Sequence, residues 1–220
     1  MAGRRDEILE TFIRHVAERG YDQTNLGDIA GELGMSKGTI VHHFGTKAQL
    51  LRELEETYMT NHLEAVRVMW EQLPSPAERI AAMIYASTMV QVSSRAATVA
   101  SQREVVKLSD DPAMQEVRKI RGELQANVAE EIRKGVKSKT FRRIDANLAT
   151  LQLLGSLQWM WVWFNPDGAQ STEEVGASFV DIFLGGLLVD RYGLPSLADP
   201  KGHVVDVVRK ALASAAGGQE

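Results

Sequence analysis

The sequence predicts an all-α protein of about ten helices. Apolar residues recur at spacings of three and four along nearly the whole chain, which is the period of helices with one buried side. Glycines and prolines fall between these apolar stretches, where helices end or begin. No stretch has the alternating pattern of a half-buried strand, so we expect no sheet.

Three short helices are predicted in the first fifty residues. Asn25 and Ser36 are suitable N-caps because a short side-chain oxygen can accept a hydrogen bond from a free backbone N–H at a helix start. A glycine follows each helix. The first predicted helix is Arg5–Arg19, the second is capped by Asn25 and runs to Leu33, and the third is Lys37–Phe44. They are followed by Gly20, Gly34 and Gly45.

A fourth, long helix joins these to the rest of the chain. Thr46 and Gln49 have the spacing of a capping box, and the helical pattern runs to about Gln72. Pro74 and Pro76 then break it. We therefore predict a head, residues 1–50, and a helical body, residues 51–220. The body helices are predicted at 77–93, more weakly at 94–108, then at 113–137 after a break at 109–112, at 146–164, at 172–191 and from Val204.

Charge singles out the stretch from Leu33 to Arg52. The whole chain carries a net charge of −4, yet this stretch has lysines, an arginine and two histidines but no acidic residue. A local basic surface on an acidic protein is typical of a site that faces a polyanion. With the turn between two short helices, it predicts a helix-turn-helix that binds DNA.

Other classes of protein are disfavoured by composition. The chain has no cysteine, which excludes disulfides, and no apolar run reaches the roughly 18 residues of a membrane span, so we expect a cytoplasmic protein. The histidines lack metal-ligand spacing and no nucleophile or phosphate-loop motif is present, so we predict no catalytic residue, no metal and no cofactor. Glu53, Glu55 and Glu56 are expected to be solvated.

The head resembles the TetR family of bacterial transcriptional regulators. Most of the shared pattern lies in Gly34-Met35-Ser36-Lys37-Gly38-Thr39-Ile40, preceded by Gly20-Tyr21, Thr24 and Asp28-Ile29-Ala30 and followed by His43-Phe44, Lys47 and Leu50-Leu51. Val41 stands where the family most often has an aromatic residue. In the body, Ser138-Lys139-Thr140-Phe141-Arg142 resembles the family's Glu-Gly-x-Phe-Arg connection, without its glycine.

This resemblance implies a homodimeric repressor. Its two heads would enter successive major grooves of a palindromic double-stranded DNA operator, with half-sites about 34 Å apart. A small-molecule effector bound in the body would change the spacing of the heads and release the DNA. Three alternatives stay open: a helical ligand-binding dimer that does not read DNA, a dimeric scaffold without an effector, and an activator of the same fold.

The residues expected to contact DNA follow from the position of the third helix. A short capped helix presents its first side chains and backbone N–H groups outward. The candidates for contact with the DNA groove are Lys37, Thr39, His42 and His43. Gly38 would allow the backbone to approach the duplex closely, and Ser36 caps the helix. The candidates for phosphate contact are Thr24, Gly27 and Lys47. Alternatively these are solvated residues, and His43 packs against Phe44.

A cluster of aromatic and sulfur-containing side chains in the body suggests a hydrophobic effector. Rings and thioethers adapt to bulky apolar ligands. The proposed lining residues, which could equally be ordinary core, are Met83, Tyr85, Met89, Met114, Trp159 and Trp163. Resemblance to TetR repressors of lipid and steroid breakdown implies a lipid-like, acyl-CoA or aromatic effector, although Val162 replaces an arginine that helps bind acyl-CoA in them.

The dimer is expected to form through the last two long helices. Trp161, Phe179 and Phe183 would pack against the second subunit, and Gly186, beside Gly185, would let two helices approach closely. Simple weakening of the helix by the two glycines is the alternative interpretation.

Overall fold

The regular secondary structure of the protein is helical in the part of the chain that a computed structural model describes, residues 3–104 and 111–217. These ranges contain no β-strand, only an isolated bridge between Phe141 and Leu188. The all-α prediction is therefore confirmed. In the same ranges no helix is long and apolar enough to cross a membrane. The helices are α1 (Arg4–Arg19), α2 (Leu26–Glu32), α3 (Lys37–Phe44), α4 (Lys47–Gln72), α5 (Pro76–Ser93), α6 (Arg95–Glu104), α7 (Gln115–Lys137), α8 (Ala146–Gln158), α9 (Met160–Trp163), α10 (Thr172–Leu187), α11 (Leu194–Leu197) and α12 (His203–Gly217), with a 3-10 turn at Pro112–Met114.

The chain forms two compact units. The first comprises Met1–Thr60 and Ser94–Ile120, and the second comprises Asn61–Ser93 and Arg121–Glu220. The long helices α4 and α7 each contribute residues to both units. The first unit thus contains α6 in addition to the head expected from the sequence, and the boundary at residue 50 stays a prediction.

The core of the first unit is built from one apolar side of each short helix. Phe12 of α1, Ile29 of α2, Phe44 of α3 and Leu50 of α4 are buried together, as the apolar spacing predicts. Leu33 packs against them while partly exposed. Burying a side chain of this size stabilises a fold by about 1.5–3 kcal/mol, so this cluster holds the three helices in a fixed arrangement.

The predicted helix caps form in this unit. The Asn25 side chain accepts a hydrogen bond from the N–H of Gly27 at 2.8 Å, and Ser36 Oγ accepts from the N–H of Thr39 at 3.1 Å. Thr46 and Gln49 make the reciprocal pair of a capping box, at 2.8 and 3.2 Å. Local sequence signals therefore place the helix starts correctly.

Helix α6 closes the C-terminal end of α1. The guanidinium of Arg103 donates to the carbonyl oxygens of Ala17 and Glu18, at 2.7 and 3.3 Å. The Glu104 carboxylate accepts a hydrogen bond from the N–H of Tyr21 at 2.9 Å. These bonds satisfy backbone groups that a helix end leaves free, and they fix the chain where it turns from α1 towards α2.

Glu55 departs from the prediction that it is solvated. Its side chain is fully buried, and its Oε2 accepts a hydrogen bond from Ser101 of α6 at 2.8 Å. The prediction failed because the partner helix lies more than forty residues further along the chain, which no local pattern reveals.

Helix α5 is the centre of the second unit. Its residues from Ile80 to Ala86 are buried on every side, and α8, α10, α11 and α12 pack around it. The Tyr85 ring lies so close to Gly176 of α10 that a Cβ there would come within 2.6 Å of it. The Tyr85 hydroxyl donates to the carbonyl oxygen of Leu197 at 3.1 Å, so this side chain joins three elements of the unit.

Two predicted helices of the body are shorter than expected. The helix predicted at 146–164 is interrupted at Trp159, which separates α8 from α9. The helix predicted at 172–191 ends at Leu187, because Leu188 turns extended and pairs with Phe141. The predicted helical stretch at 94–108 is present as α6 up to Glu104. Its remainder and the first two residues of the predicted break at 109–112 lie outside the described residues.

The connection after α7 has one unusual backbone conformation. Lys139 has φ +62°, in the left-handed region that favours glycine. It occupies the position of the glycine in the connection that Ser138 to Arg142 resembles. Two residues on, the Phe141 ring packs against Gly135, and the backbone N–H of Arg142 donates to the carbonyl oxygen of Leu187 at 2.8 Å.

Candidate nucleic-acid interface

Helices α2 and α3 form a helix-turn-helix. The turn between them contains Gly34 at φ +61°, and the N–H of Met35 donates to the carbonyl oxygen of Ala30 at 2.9 Å. This left-handed residue with its bond back to the helix is a common helix C-terminus and redirects the chain sharply. Ser36 then starts α3, so the predicted motif is present.

One side of α3 is buried and the other faces solvent. Ile40 and Phe44, four residues apart, lie in the core of the first unit. Lys37, His42 and His43 are exposed. Their free charges and ring nitrogens are groups that can donate to base edges or to phosphate.

His43 does not occupy the core position that the alternative interpretation gave it. Its ring is exposed and meets the His42 ring edge-on, with centroids 5.7 Å apart. Val41, on the same helix, is 44% exposed. An apolar side chain on an otherwise polar surface is suited to contact with a thymine methyl group. The sequence alone did not assign this role to Val41.

Gly38 is exposed at the start of α3. A Cβ added to it would meet only Ser36 Oγ, at the ordinary contact distance of 3.4 Å. The fold itself therefore does not require glycine here. Close approach of another molecule would explain its presence, as the sequence-based interpretation expects.

Lys37 and Lys47 lie on the rim of one depression of about 430 Å³ in the first unit. Its other lining residues are Asp22, Gln23, Thr24, Asn25 and Leu26. The structure thus brings together two of the candidate phosphate ligands, Thr24 and Lys47, with the candidate base reader Lys37.

Thr24 and Lys47 nevertheless have partners inside the protein. Thr24 is 2% exposed and its hydroxyl donates to the carbonyl oxygen of Gly20 at 2.9 Å, so the predicted phosphate contact by this side chain has no access. The N–H of Gly27 is likewise taken by the Asn25 cap. Lys47 Nζ donates to the carbonyl oxygens of Tyr21 and Thr24, at 2.9 and 3.0 Å, while its side chain stays partly exposed.

Two further groups that sequence reasoning missed hold the helices of this interface. Arg5 lies 4.5 Å above the Phe44 ring and binds both oxygens of Glu53, which ties α1 to α3 and α4. The buried His15 contacts Glu32 at 2.9 Å. Hydrogen bonds from His15 and from Arg14 hold the pKa of Glu32 below its usual range. These pairs join different helices, so no local sequence pattern indicates them.

The candidate effector residues have different surroundings, and their grouping into one pocket stays a prediction. Met114 is buried in the core of the first unit, whereas Met83 and Tyr85 are buried in that of the second. Met89 packs at the edge of the second core. Trp159 and Trp163 are 63% and 53% exposed.

The second unit carries a large exposed apolar face. We use the name apolar face for the exposed apolar side chains from α8 to α10, those of Leu148, Leu151, Trp159, Trp163 and Ile182, each more than half exposed. The Trp163 ring lies 6.3 Å from that of Phe179, which joins α9 to α10. The candidate dimer residues Trp161, Phe179 and Phe183 are partly buried beside it, and Gly186 is exposed.

Family models match both parts of the chain. Residues 8–54 match the model for bacterial regulatory proteins of the tetR family, and residues 73–187 match that for the tetracycline repressor-like C-terminal domain. The chain therefore belongs to the TetR family of transcriptional regulators. This confirms the resemblance drawn from the sequence motifs of the head and the body.

Individual relatives cover nearly the whole chain. The HTH-type transcriptional repressor KstR2 of Mycolicibacterium smegmatis is 29% identical over 188 residues, 84% of this chain and 91% of that protein. The solved structure of the ketosteroid transcriptional regulator KstR2 of Mycobacterium tuberculosis has a TM-score of 0.80 at 25% identity, covering 86% and 97% of the two chains. The TetR family regulator PfmR of Thermus thermophilus has a TM-score of 0.71 at 28% identity, covering 84% and 99%.

Proposed function

We propose that this regulator is a homodimeric repressor that binds a palindromic operator and is released by a hydrophobic small molecule. It acts on DNA in the cytoplasm. The observation that carries the proposal is the division of α3 into a buried side, Ile40 and Phe44, and an exposed side with Lys37, Gly38 and His43.

In the proposed complex α3 lies in the major groove. Lys37 and His43 donate to base edges, and Val41 meets a thymine methyl group. Gly38 brings the backbone close to the duplex. Lys47 contacts phosphate through its exposed part, which fixes register without reading sequence. Thr39, whose hydroxyl pairs with Ser36 Oγ at 3.0 Å, contributes less than the sequence alone suggested.

The apolar face supports the homodimer. Five large apolar side chains exposed on one protomer mark an interaction surface, and a second copy is the partner that the family relationship favours. A twofold axis gives each protomer the same contacts, and it matches the symmetry of a palindromic site.

The effector class is supported by the similarity to KstR2, a ketosteroid regulator, over 84% of the chain. Val162 is 48% exposed and supplies no positive charge. We therefore propose that the apolar part of the effector dominates recognition, whether or not it carries coenzyme A.

Fluorescence anisotropy with the DNA upstream of the gene tests operator binding. Specific sites bind typically 10³–10⁷-fold more tightly than unrelated DNA, so a difference of about 10³ from a scrambled duplex is expected. Inserting five base pairs between the half-sites turns one head to the wrong side of the helix and should abolish most of this difference, whereas ten should restore part of it. Equal binding to both duplexes would contradict operator reading.

The same assay separates the remaining alternatives. Loss of anisotropy when steroid or fatty-acid compounds, or their CoA thioesters, are added supports an effector-released repressor. Binding that none of them changes would favour a dimeric scaffold. Repressor and activator are distinguished by deleting the gene and measuring transcripts of its neighbours, which should rise for a repressor.

A further inference from the structure

A groove of about 520 Å³ lies in the second unit between α4, α7 and the first turn of α5. We call it the acidic groove because its five carboxylates, those of Glu64, Glu71, Glu123, Glu130 and Glu131, outnumber its three cations. Its volume is that of a site for a small molecule. The proposed DNA interface does not involve it.

Glu131 is the unusual residue of this groove. Its side chain is 2% exposed. One oxygen, Oε1, accepts from Arg79 at 3.2 Å and from Lys134 at 2.6 Å. The other, Oε2, is buried and has no donor among the residues that the structure describes. A buried carboxylate oxygen without a hydrogen bond destabilises a fold, so a ligand N–H or O–H that donates to Oε2 would be favoured here.

The cations of the groove are largely engaged already. Arg67 is bound to Glu64 at 2.6 Å and to Glu71 at 2.7 Å. Arg79 also uses its Nε to bind the carbonyl oxygen of Leu73 at 2.9 Å. Lys134 is the exception, because half of its side chain is exposed and it can swing away from Glu131.

One wall of the groove is apolar. Leu63, Val66 and Trp70 line it, and the Trp70 indole N–H donates to the carbonyl oxygen of Arg79 at 3.0 Å, which holds the ring in place. A fixed indole beside carboxylates favours a flat cation, which gains from the ring face as well as from the charges.

We propose that the acidic groove binds a small organic cation with forked N–H donors on a flat apolar body, such as an aryl amidine or guanidine. The fork matches the two oxygens of Glu131, and the Lys134 ammonium leaves as the ligand enters. The aryl group lies against Trp70. This ligand differs in polarity from the hydrophobic effector, and its binding requires neither DNA nor that effector.

Calorimetric titration of the full-length protein with benzamidine and with its neutral isostere benzamide tests the proposal. We expect saturable binding of benzamidine at least about tenfold tighter than that of benzamide. Glu131→Gln should weaken benzamidine about tenfold or more. Lys134→Met removes the competing ammonium and should tighten it about threefold. Glu173→Gln, which breaks an ion pair with Arg209 away from the groove, is the control and should change nothing.

The proposal is overturned by equal affinity for benzamidine and benzamide, by no binding of either, or by undiminished benzamidine binding in a folded Glu131→Gln variant. If circular dichroism shows that Glu131→Gln does not fold, the test rests on the Lys134→Met variant. Benzamidine binding by that variant that is unchanged or weaker rules the site out.

Discussion

The ammonium group of Lys47 lies 4.3 Å from the centre of the Tyr21 ring and donates to the carbonyl oxygen of the same residue. A single cation at the start of α4 therefore secures the turn that leads into α2. Any phosphate contact by Lys47 would be made by a side chain that also holds the fold, so the two roles have to be separated by experiment.

Lys47→Ala should lower both stability and DNA affinity. Loss of two hydrogen bonds from a charged donor and of the ring contact should reduce the free energy of unfolding by about 1–2 kcal/mol. If the lysine also neutralises a phosphate, the slope of log affinity against log salt should fall by about one ion. Urea unfolding and a salt titration measure the two effects.

Lys37→Ala is the matched control. Lys37 is exposed and has neither a hydrogen bond nor an ion pair among the residues that the structure describes. Its loss should leave unfolding unchanged and reduce discrimination between the operator and scrambled DNA. An unaltered salt slope in Lys47→Ala would remove Lys47 from the phosphate contacts.

Gly38→Ala should separate stability from DNA binding. A methyl group fits within the protein, and alanine is the better helix former, so the free energy of unfolding should rise by up to about 1 kcal/mol. If the duplex lies against Gly38, operator affinity should nevertheless drop about tenfold. Gly31→Ala in α2, where a Cβ meets nothing within 4 Å, should stabilise without weakening binding. Full affinity in Gly38→Ala would exclude close approach at this residue.

His62 should make stability depend on pH. Burial away from water lowers the pKa of His62 from 6.5 to about 4, and its buried Nε2 has no partner in the described part of the chain. Between pH 6.5 and 4 the unfolded chain binds a proton at His62 that the folded protein does not. The contribution of neutral His62 to the free energy of unfolding is therefore full above pH 6.5 and is lost as the pH drops through this window. The loss should reach about 3 kcal/mol.

Urea unfolding of the wild type and of His62→Leu at pH 7, 6, 5 and 4 measures this effect. The leucine variant cannot take up the proton, so its stability should fall less steeply over the same range. Parallel profiles for the two proteins would show that other groups cause the acid sensitivity.

Ile182→Glu should prevent dimer formation. Ile182 is 73% exposed on the protomer, so the substitution costs the protomer's own fold little, while a buried carboxylate at a dimer seam would be unpaired. Light scattering at micromolar concentration should change from dimer to monomer. Val41→Glu replaces another exposed apolar residue, on α3, and should leave the dimer intact. A dimer that survives Ile182→Glu would place the seam elsewhere.

Lys139→Gly should stabilise the second unit. A left-handed conformation costs a residue with a side chain about 1–2 kcal/mol, and glycine avoids this cost at the expense of a more flexible unfolded chain. A net gain of about 1 kcal/mol is expected from thermal unfolding. Lys137→Gly, at the C-terminal end of α7, should destabilise instead.

The parts of the structure that local sequence determines were predictable. Asn25, Ser36 and Thr46 cap helices as expected, because a cap and its N–H partner lie within three residues. The exposed side of α3 followed from the same local signals. Thr24 and Glu55 could not be placed correctly, since their burial depends on packing between helices.

The bond from Arg103 to Ala17 joins residues 86 positions apart. During synthesis at about 5–20 residues per second, α1 is therefore made roughly 4–17 s before the side chain that closes its end exists. Until then the carbonyl groups of Ala17 and Glu18 have only water as a partner. The DNA-binding unit begins to fold with the first residues made, but it can be completed only once more than half of the chain has been translated.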